Sequence, residues 1–348
     1  MKQKSKTPRL LIIFIALVAI VLGWFVFGPS INAPENKYFY ISTGSDYNKV
    51  KEGLNKNHIL SYSFLFDELA KFSKYDKHIK PGKYKINDGM SMFNLLRMLR
   101  SGRQTPVNLT IIKLHTKEEL ARKLGENFEF DSTAAINFLT NKDSLSKFDL
   151  DTNTVLTTVI PNTYVLLWNT GPSKVFRKLY AQNVKFWNSE RKGKATNQHL
   201  DEKEIYILAS LVEEETNKND DKGKIASVYI NRLNKNMKLA ADPTVKYAMK
   251  DFGLKRIYLK YLSFPSPYNT YLHTGLPPGP ICTPSVKTLD AVLNAPATDY
   301  LFFVAKPDFS GYSNFAVSYN EHERNAKAYQ HALDSVILAK ENKRTETP

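Results

Sequence analysis

The chain of 348 residues contains very little cysteine, because Cys282 is the only one. A single cysteine excludes an intrachain disulfide, and no paired Cys or His spacing typical of a zinc site occurs. The seven histidines form no HExxH pair, and no glycine-rich loop has the spacing that holds nucleotide phosphates. We therefore expect neither a metal nor a cofactor. A catalytic Cys–His pair is disfavoured, since Cys282 lies in a proline-rich stretch without an evident partner.

The sequence also lacks internal repeats and low-complexity tracts, and 42% of its residues are hydrophobic. That share is sufficient for buried cores, and the length suggests about two folded units. The net charge is strongly positive at +15, with 49 Lys and Arg against 34 Asp and Glu. A basic protein suits nucleic acid, anionic membrane surfaces or acidic polymers. The basic residues are spread evenly and no nucleic-acid motif is present, so we do not expect a nucleic-acid partner.

One long apolar run is present, at residues 10–27, and its eighteen residues include no charge. As a helix it would be about 27 Å long, close to the thickness of a bilayer core. Basic residues precede it, which predicts a cytoplasmic N-terminus at residues 1–9 and an extracytoplasmic remainder. A cleaved signal peptide, the alternative, usually has a shorter apolar run and a small-residue cleavage site. We therefore predict a single-pass anchor in the cytoplasmic (inner) membrane.

The rest of the chain is predicted to form an α+β protein in two parts. Residues 28–36 have the composition of a linker. Strand and helix patterns alternate over residues 37–104 and predict a small β-α-α-β-α unit. Residues 105–340 mix helices with short strands, among them a buried strand at residues 300–305, and predict a larger unit. The polar residues 341–348 are expected to be a frayed tail.

The most informative segment is EIYILASLVEEETN, residues 204–217. Ile205, Leu208, Leu211 and Val212 recur at helical spacing, which predicts an amphipathic helix. At about 100° per residue, Glu215 lies within the apolar stripe, whereas the two preceding glutamates do not. A carboxylic acid among apolar side chains has a raised pKa, as a general acid near neutral pH requires. The alternative is an acidic run in solvent at the end of a helix.

A second acid and two loops follow further along the chain. The Ala-Asp-Pro sequence at residues 241–243 predicts a turn that carries Asp242, because residues before proline avoid helical conformations. The segments PYNTY (residues 267–271) and GLPPGP (residues 275–280) are rich in aromatic, amide and proline residues. Aromatic rings can stack on sugars and amides can bond their hydroxyl groups, but many loops of other function share this composition.

Taken together, these segments resemble the MltG (YceG-like) endolytic murein transglycosylases. The matching segments are, in order, ASLVEEET, IASVYINRL, ADPTVKYAM, PYNTYLHTGLPPGPI and TPS, between Ala209 and Ser285. The resemblance implies that Glu215 is the catalytic acid, in agreement with its position on the helix. It also implies that residues 37–104 are a LysM-like glycan-binding domain and residues 105–340 the catalytic domain.

The resemblance further implies a reaction, binding residues and partners. The reaction would cleave the β-1,4 bond between N-acetylmuramic acid and N-acetylglucosamine and form a 1,6-anhydro end, which would terminate nascent glycan strands. Partners would be peptidoglycan strands, the cytoplasmic membrane and wall-synthesis proteins. Two alternatives are a hydrolytic muramidase that uses Glu215 with Asp242 and a non-catalytic, membrane-anchored scaffold. Substrate-binding or supporting roles are implied for Glu213, Asn231, Asp242, Tyr268, Asn269 and His322.

Overall fold

The computed structural model describes residues 7–254 and 256–345. The fold is mixed α+β, as the sequence predicts, and the chain divides into two compact units. The first unit contains the described residues up to Leu109 together with Gly125–Asp131 and Val165–Gly171. The second contains Thr110–Leu124, Ser132–Tyr164 and the described residues from Pro172 onward. The domain boundaries and the LysM-like assignment made from the sequence stay predictions.

Helices account for most of the regular structure in the described residues. They are α1 (Thr7–Phe27), α2 (Tyr47–Lys56), α3 (Ser63–Phe72), α4 (Met92–Ser101), α5 (Lys117–Asn127), α6 (Ser132–Thr140), α7 (Lys142–Ser146), α8 (Pro172–Phe186), α9 (Ser189–Asn197), α10 (Glu202–Glu215), α11 (Asn219–Asn234), α12 (Asp242–Met249), α13 (Val286–Leu293) and α14 (Tyr319–Thr345).

The strands are short and form two-stranded sheets. They are β1 (Pro29–Ile31), β2 (Tyr38–Ile41), β3 (Gly82–Lys85), β4 (Met90–Ser91), β5 (Val107–Ile111), β6 (Asn162–Leu166), β7 (Phe302–Ala305) and β8 (Ser313–Ala316). In the described part of the chain, β1 pairs with β4, β2 with β3, β5 with β6 and β7 with β8.

The first unit largely follows its predicted order of elements. The carboxylate of Asp46 caps α2 by accepting a hydrogen bond from the Lys49 N–H. Gly102 ends α4 with a φ of 70°, the left-handed conformation that glycine adopts readily. The predicted linker is wrong in part, because Pro29–Ile31 forms β1, antiparallel to β4. Ile31 is buried in the core of this unit, so its burial favours a strand over a free linker.

The apolar N-terminal segment forms α1, and the side chains of residues 11–22 are exposed. At its end, the rings of Phe27 and Phe93 lie 5.2 Å apart and those of Phe25 and Tyr62 lie 4.7 Å apart. Among the residues that the structure describes, no helix combines the length and the apolar character needed to cross a membrane. The predicted transmembrane span is therefore not confirmed.

The second unit is built around α10. Asp201 and Glu204 form a capping box at its start, in which each side chain accepts a hydrogen bond from the other's backbone N–H. Residues 205–212 are all buried, because α11, α12 and α13 pack around the helix. The prediction of an amphipathic helix is therefore wrong for the middle of α10. The helix is exposed only toward its ends, and its C-terminal end carries the three glutamates.

Three further details differ from the sequence prediction. Asp242 begins α12 instead of lying in a turn, because proline is tolerated in the first turn of a helix, where its missing N–H would have no partner. The strand predicted to be buried is β7, whose residues are partly or fully exposed. The predicted tail is helical as far as Thr345, and its last residues, 346–348, lie outside the described residues.

Candidate active site

Glu215 is the last residue of α10 and lies where three helices meet. The Tyr229 hydroxyl, on α11, donates a hydrogen bond of 2.6 Å to Glu215 Oε1. Tyr229 is itself buried, so this bond is shielded from water. Asp242 and Lys246, one helical turn apart on α12, lie close enough for their charges to act on Glu215. The carboxyl is partly buried and does not point freely into solvent.

The pKa of the Glu215 carboxyl is raised to about 7. Burial is the main cause, because it disfavours the charged form, and the negative charge of Asp242 acts in the same direction. The Tyr229 hydrogen bond and the positive charges of Lys246 and Arg232 oppose the rise. At neutral pH the protonated and ionised forms of Glu215 are thus both accessible, as a residue that gives and takes a proton requires.

The neighbouring Glu214 has the opposite electrostatic environment. Burial alone would raise its pKa, but the close approach of His115 and Lys113 lowers the pKa to about 2. Lys113 Nζ lies 2.9 Å and His115 Nε2 3.4 Å from Glu214 Oε1. The pKa values of two adjacent glutamates are therefore shifted in opposite directions, an arrangement found in active sites with an assigned acid.

The Glu213 carboxylate contacts a different set of residues from those around Glu214 and Glu215. Its Oε2 accepts hydrogen bonds from Lys222 Nζ and Ser285 Oγ, each at 3.1 Å, and from the Thr288 hydroxyl. Lys222 also donates to Thr288 at 2.6 Å, and the Lys222 side chain is only 7% exposed. This buried network joins α10, α11 and α13. The role predicted for Glu213 stays a prediction.

Asp242 is exposed at the start of α12 and is held by Tyr271. The Tyr271 hydroxyl donates a hydrogen bond of 2.6 Å to Asp242 Oδ1. Burial and the charges of Asp242 and Glu215 raise the pKa of Tyr271, so the phenol stays protonated and remains a donor. Asp242 also lies close enough to Glu215 for its charge to act on that carboxyl.

The loop that carries Tyr271 is organised by Asn269. The Asn269 side chain is completely buried and donates to the backbone oxygens of Leu262 and Phe264, both at 2.9 Å. Its own oxygen accepts the Tyr271 N–H. These bonds leave the Asn269 amide inaccessible to a ligand in this structure, so its geometry supports the loop.

Tyr268 is half-buried against the C-terminal part of α12. Its ring lies 4.7 Å from that of Tyr247, tilted by 42°. The Tyr268 hydroxyl would be 3.0 Å from a Cβ placed on Gly279, and Asn153 O would be only 2.2 Å away. Glycine at residue 279 therefore allows this loop to pack closely against its neighbours.

Asn231 and His322 lie beside β7. Asn231 donates to the backbone oxygens of Thr298 and Tyr300, at 2.7 Å and 2.9 Å. The His322 ring stacks on Phe302, with centroids 5.2 Å apart. Burial and the positive charge of Arg232 lower the pKa of His322, so it is neutral at pH 7.

Four residues around Glu215 were not among the predicted site residues: Tyr229, Arg232, Lys246 and Tyr271. Each lies within one of the matching sequence segments, but helical spacing cannot indicate which side chains of separate helices meet. Arg232 illustrates this, because its guanidinium is held by the backbone oxygens of Leu239 and Leu301 and acts on Glu215 through its charge. In the described part of the chain, no group of three or more His, Cys, Asp or Glu could hold a metal ion.

Comparison with known proteins identifies a family for the chain. A sequence profile described as the YceG-like family matches residues 39–328. A protein of Bacillus subtilis named endolytic murein transglycosylase is 29% identical over 338 residues, covering 89% of this chain and 91% of the relative. A Streptococcus pneumoniae protein of the same name is 28% identical, covering 85% of this chain and 59% of the relative.

A solved structure agrees with this match. The crystal structure of a YceG-like protein from Listeria monocytogenes aligns with a TM-score of 0.54 at 25% identity, covering 82% of this chain and 98% of the other. The profile match extends across most of the chain and includes the elements that surround Glu215. The chain therefore belongs to the YceG-like family.

Proposed function

We propose that this protein is a peptidoglycan lytic transglycosylase in which Glu215 is the only catalytic carboxyl group. The relatives named endolytic murein transglycosylases support the class of reaction and the substrate. The observation that carries the assignment of Glu215 is its raised pKa, about 7, at the convergence of α10, α11 and α12. Endolytic cleavage, inside a glycan strand, is part of this proposal.

In the first step, protonated Glu215 donates its proton to the oxygen between N-acetylmuramic acid and N-acetylglucosamine. The bond from that oxygen to the muramyl anomeric carbon breaks, and positive charge develops at the carbon. The substrate's own N-acetyl group shares this charge. Tyr229 occupies one lone pair of Oε1, which keeps the carboxyl in one orientation and leaves Oε2 to face the substrate.

In the second step, the ionised Glu215 removes the proton from the C6 hydroxyl of the same muramyl residue. The C6 oxygen bonds to the anomeric carbon and closes the 1,6-anhydro ring, so no water is consumed. The charges of Lys246 and Arg232 and the Tyr229 hydrogen bond stabilise the carboxylate between the two steps. Production of such ends would terminate nascent strands.

The products distinguish this reaction from that of a hydrolytic muramidase. Hydrolysis would require a second carboxylate, and Asp242 is the candidate because it lies near Glu215. We expect mass spectrometry of digested peptidoglycan to find muramyl ends lighter by one water than reducing ends. Asp242→Asn should keep substantial activity and the same products. Reducing ends made by the wild type, and lost in Asp242→Asn, would instead establish the hydrolase.

Tyr229→Phe should shift the pH dependence of kcat/KM to higher pH. The free enzyme must hold a proton on Glu215, so activity should fall as pH rises through about 7. Tyr229 stabilises the ionised form, and losing a hydrogen bond to a charged group should raise the pKa by about one unit or more.

Asp242→Asn should shift the pH dependence of kcat/KM in the opposite direction, toward lower pH. The Asp242 charge raises the pKa of Glu215, so its removal should move the fall in activity to lower pH. Opposite movements of the two profiles cannot come from a general loss of stability. Profiles that coincide with the wild type would contradict the assignment of Glu215 as the titrating acid.

We further propose that the apolar residues 10–27 attach the protein to the cytoplasmic membrane as a single-pass anchor and that the first unit binds glycan as a LysM-like domain. Eighteen uncharged residues and the exposed apolar side chains of α1 support the attachment. Detergent should be needed to release a C-terminally tagged chain from membranes. A wild-type chain that cleaves no peptidoglycan would favour the non-catalytic scaffold, with wall-synthesis proteins as its partners.

A further inference from the structure

A basic and aromatic groove lies beside the end of α1 in the first unit. Its cavity of about 460 Å³ is bounded by α4 and the end of α3, and its lining consists of Ser73, Phe93, Leu96, Arg97, Arg100 and Ser101. We call this set the α3–α4 groove. Its wall is apolar at Phe93 and Leu96, and its cationic groups are Arg97 and Arg100.

The two arginines are available for an anionic ligand. Arg97 and Arg100 are exposed and lie three positions apart on α4, so they are neighbours on one helical face. Phe93 is one turn earlier, and the Arg97 guanidinium is 5.9 Å from its ring. No ion pair joins Arg97 or Arg100 to a carboxylate within the portion of the chain described above. Guanidinium groups match phosphate oxygens in geometry and charge.

Helix α3, whose end bounds the groove, carries large apolar side chains that are exposed to water. Phe72, at the end of α3, is 90% exposed, and Phe64 on the same helix is 73% exposed. Exposure of whole aromatic rings is unfavourable in water and marks surfaces that meet an apolar partner. Aromatic residues near basic ones are typical of the level at which a protein meets lipid headgroups.

The groove continues directly into the apolar helix. The ring of Phe93, in the wall of the groove, lies 5.2 Å from that of Phe27, the last residue of α1. The side chains of residues 11–22, on the same helix, are apolar and exposed. If α1 is in a bilayer, the groove therefore lies where its hydrocarbon region ends and its phosphates begin.

We propose that the α3–α4 groove binds one anionic phospholipid, with the phosphate on Arg97 and Arg100 and the upper acyl-chain carbons on Phe93 and Leu96. This inference rests on the proposed membrane attachment. Phe72 and Phe64 then enter the headgroup layer beside the bound lipid. Lipid binding here would fix the first unit on the membrane surface.

Native mass spectrometry of the detergent-solubilised full chain tests the proposal. Phosphatidylglycerol and phosphatidylcholine are added in turn, and the fraction of protein that retains one lipid is measured. We expect the wild type to prefer phosphatidylglycerol, and Arg97→Gln with Arg100→Gln to weaken its retention by about tenfold or more, because two charge-assisted contacts are lost. Phe93→Ser should weaken retention of both lipids, because it removes the apolar wall.

Lys49→Gln with Lys56→Gln is the matched control, since it removes two exposed positive charges from α2 of the same unit. This control should bind like the wild type. Equal loss in the control would show nonspecific charge attraction, and full retention in the double arginine variant would refute the groove. Displacement of the lipid by soluble glycerol phosphate at equal concentration would also overturn the proposal, because the site would then recognise phosphate alone.

Membrane fractionation separates failure of this inference from failure of the attachment. A wild-type chain that is soluble without detergent would overturn the attachment, and the lipid site with it. A wild-type chain that stays in membranes, combined with unchanged lipid retention in the arginine variant, would overturn only the lipid site. All three variants change exposed side chains, so thermal unfolding should match the wild type and exclude misfolding.

Discussion

Glu215→Gln is expected to lower the rate of peptidoglycan cleavage by about 10²- to 10⁴-fold, because general acid–base catalysis contributes about that much. The glutamine amide can still accept the Tyr229 hydrogen bond, but it can neither donate a proton to the glycosidic oxygen nor take one from the C6 hydroxyl. The release of anhydro-muramyl ends from purified peptidoglycan, followed by mass spectrometry, measures the effect.

Glu202→Gln is the matched control, because it makes the same chemical change at the other end of α10. Glu202 forms an ion pair with Lys192 at the protein surface and lies 13 residues before Glu215, about 20 Å along the helix. Its variant should be as active as the wild type. Activity of Glu215→Gln within about tenfold of this control would remove Glu215 from the mechanism, whereas a wild type without any cleavage activity would favour the scaffold.

Lys222→Ala is expected to destabilise the second unit by about 3 to 5 kcal/mol, the usual effect of leaving a buried charge without its partner. Lys222 is buried and lies 3.1 Å from Glu213 Oε2. Without the ammonium group, the Glu213 carboxylate keeps only the hydroxyl donors Ser285 and Thr288. Hydrogen exchange of the backbone amides in residues 205–212 reports the change in local free energy of opening.

Two comparisons separate the ion pair from the general effect of substitution. Lys224→Ala removes an exposed lysine of the same helix and should change stability by less than about 0.5 kcal/mol. Glu213→Gln combined with Lys222→Met removes both charges and should recover most of the lost stability. A single Lys222→Ala variant as stable as Lys224→Ala would show that the network contributes little.

Much of the local structure could be predicted because it depends on neighbours in the sequence. Helix α4 illustrates this, since its apolar spacing and the terminal Gly102 define both its inner face and its end. The strand β1 was missed because it is only three residues long and is stabilised by β4, about sixty positions away. Asp242 was assigned to a turn because proline is compatible with both a turn and the first turn of a helix.

The sequence predicted a raised pKa for Glu215, and its pKa is raised in the structure. The physical argument behind that prediction was incomplete. The helical-face argument assumed one apolar side of α10, whereas residues 205–212 are buried on every side. Glu215 is distinguished from Glu213 and Glu214 by its partners, since it faces a tyrosine whereas Glu213 faces Lys222 and Glu214 faces Lys113 and His115. Those partners come from other segments, which periodicity within one helix cannot identify.

The sequence by itself determined the net positive charge, the apolar run at residues 10–27, most helices and strands, and the run of three glutamates at the end of a helix. These features depend on composition and on residues within a few turns of one another. The tertiary structure alone decided which of the three glutamates has a pKa near 7. A pKa depends on burial and on charges within a few ångströms, and in this protein those charges come from α11 and α12.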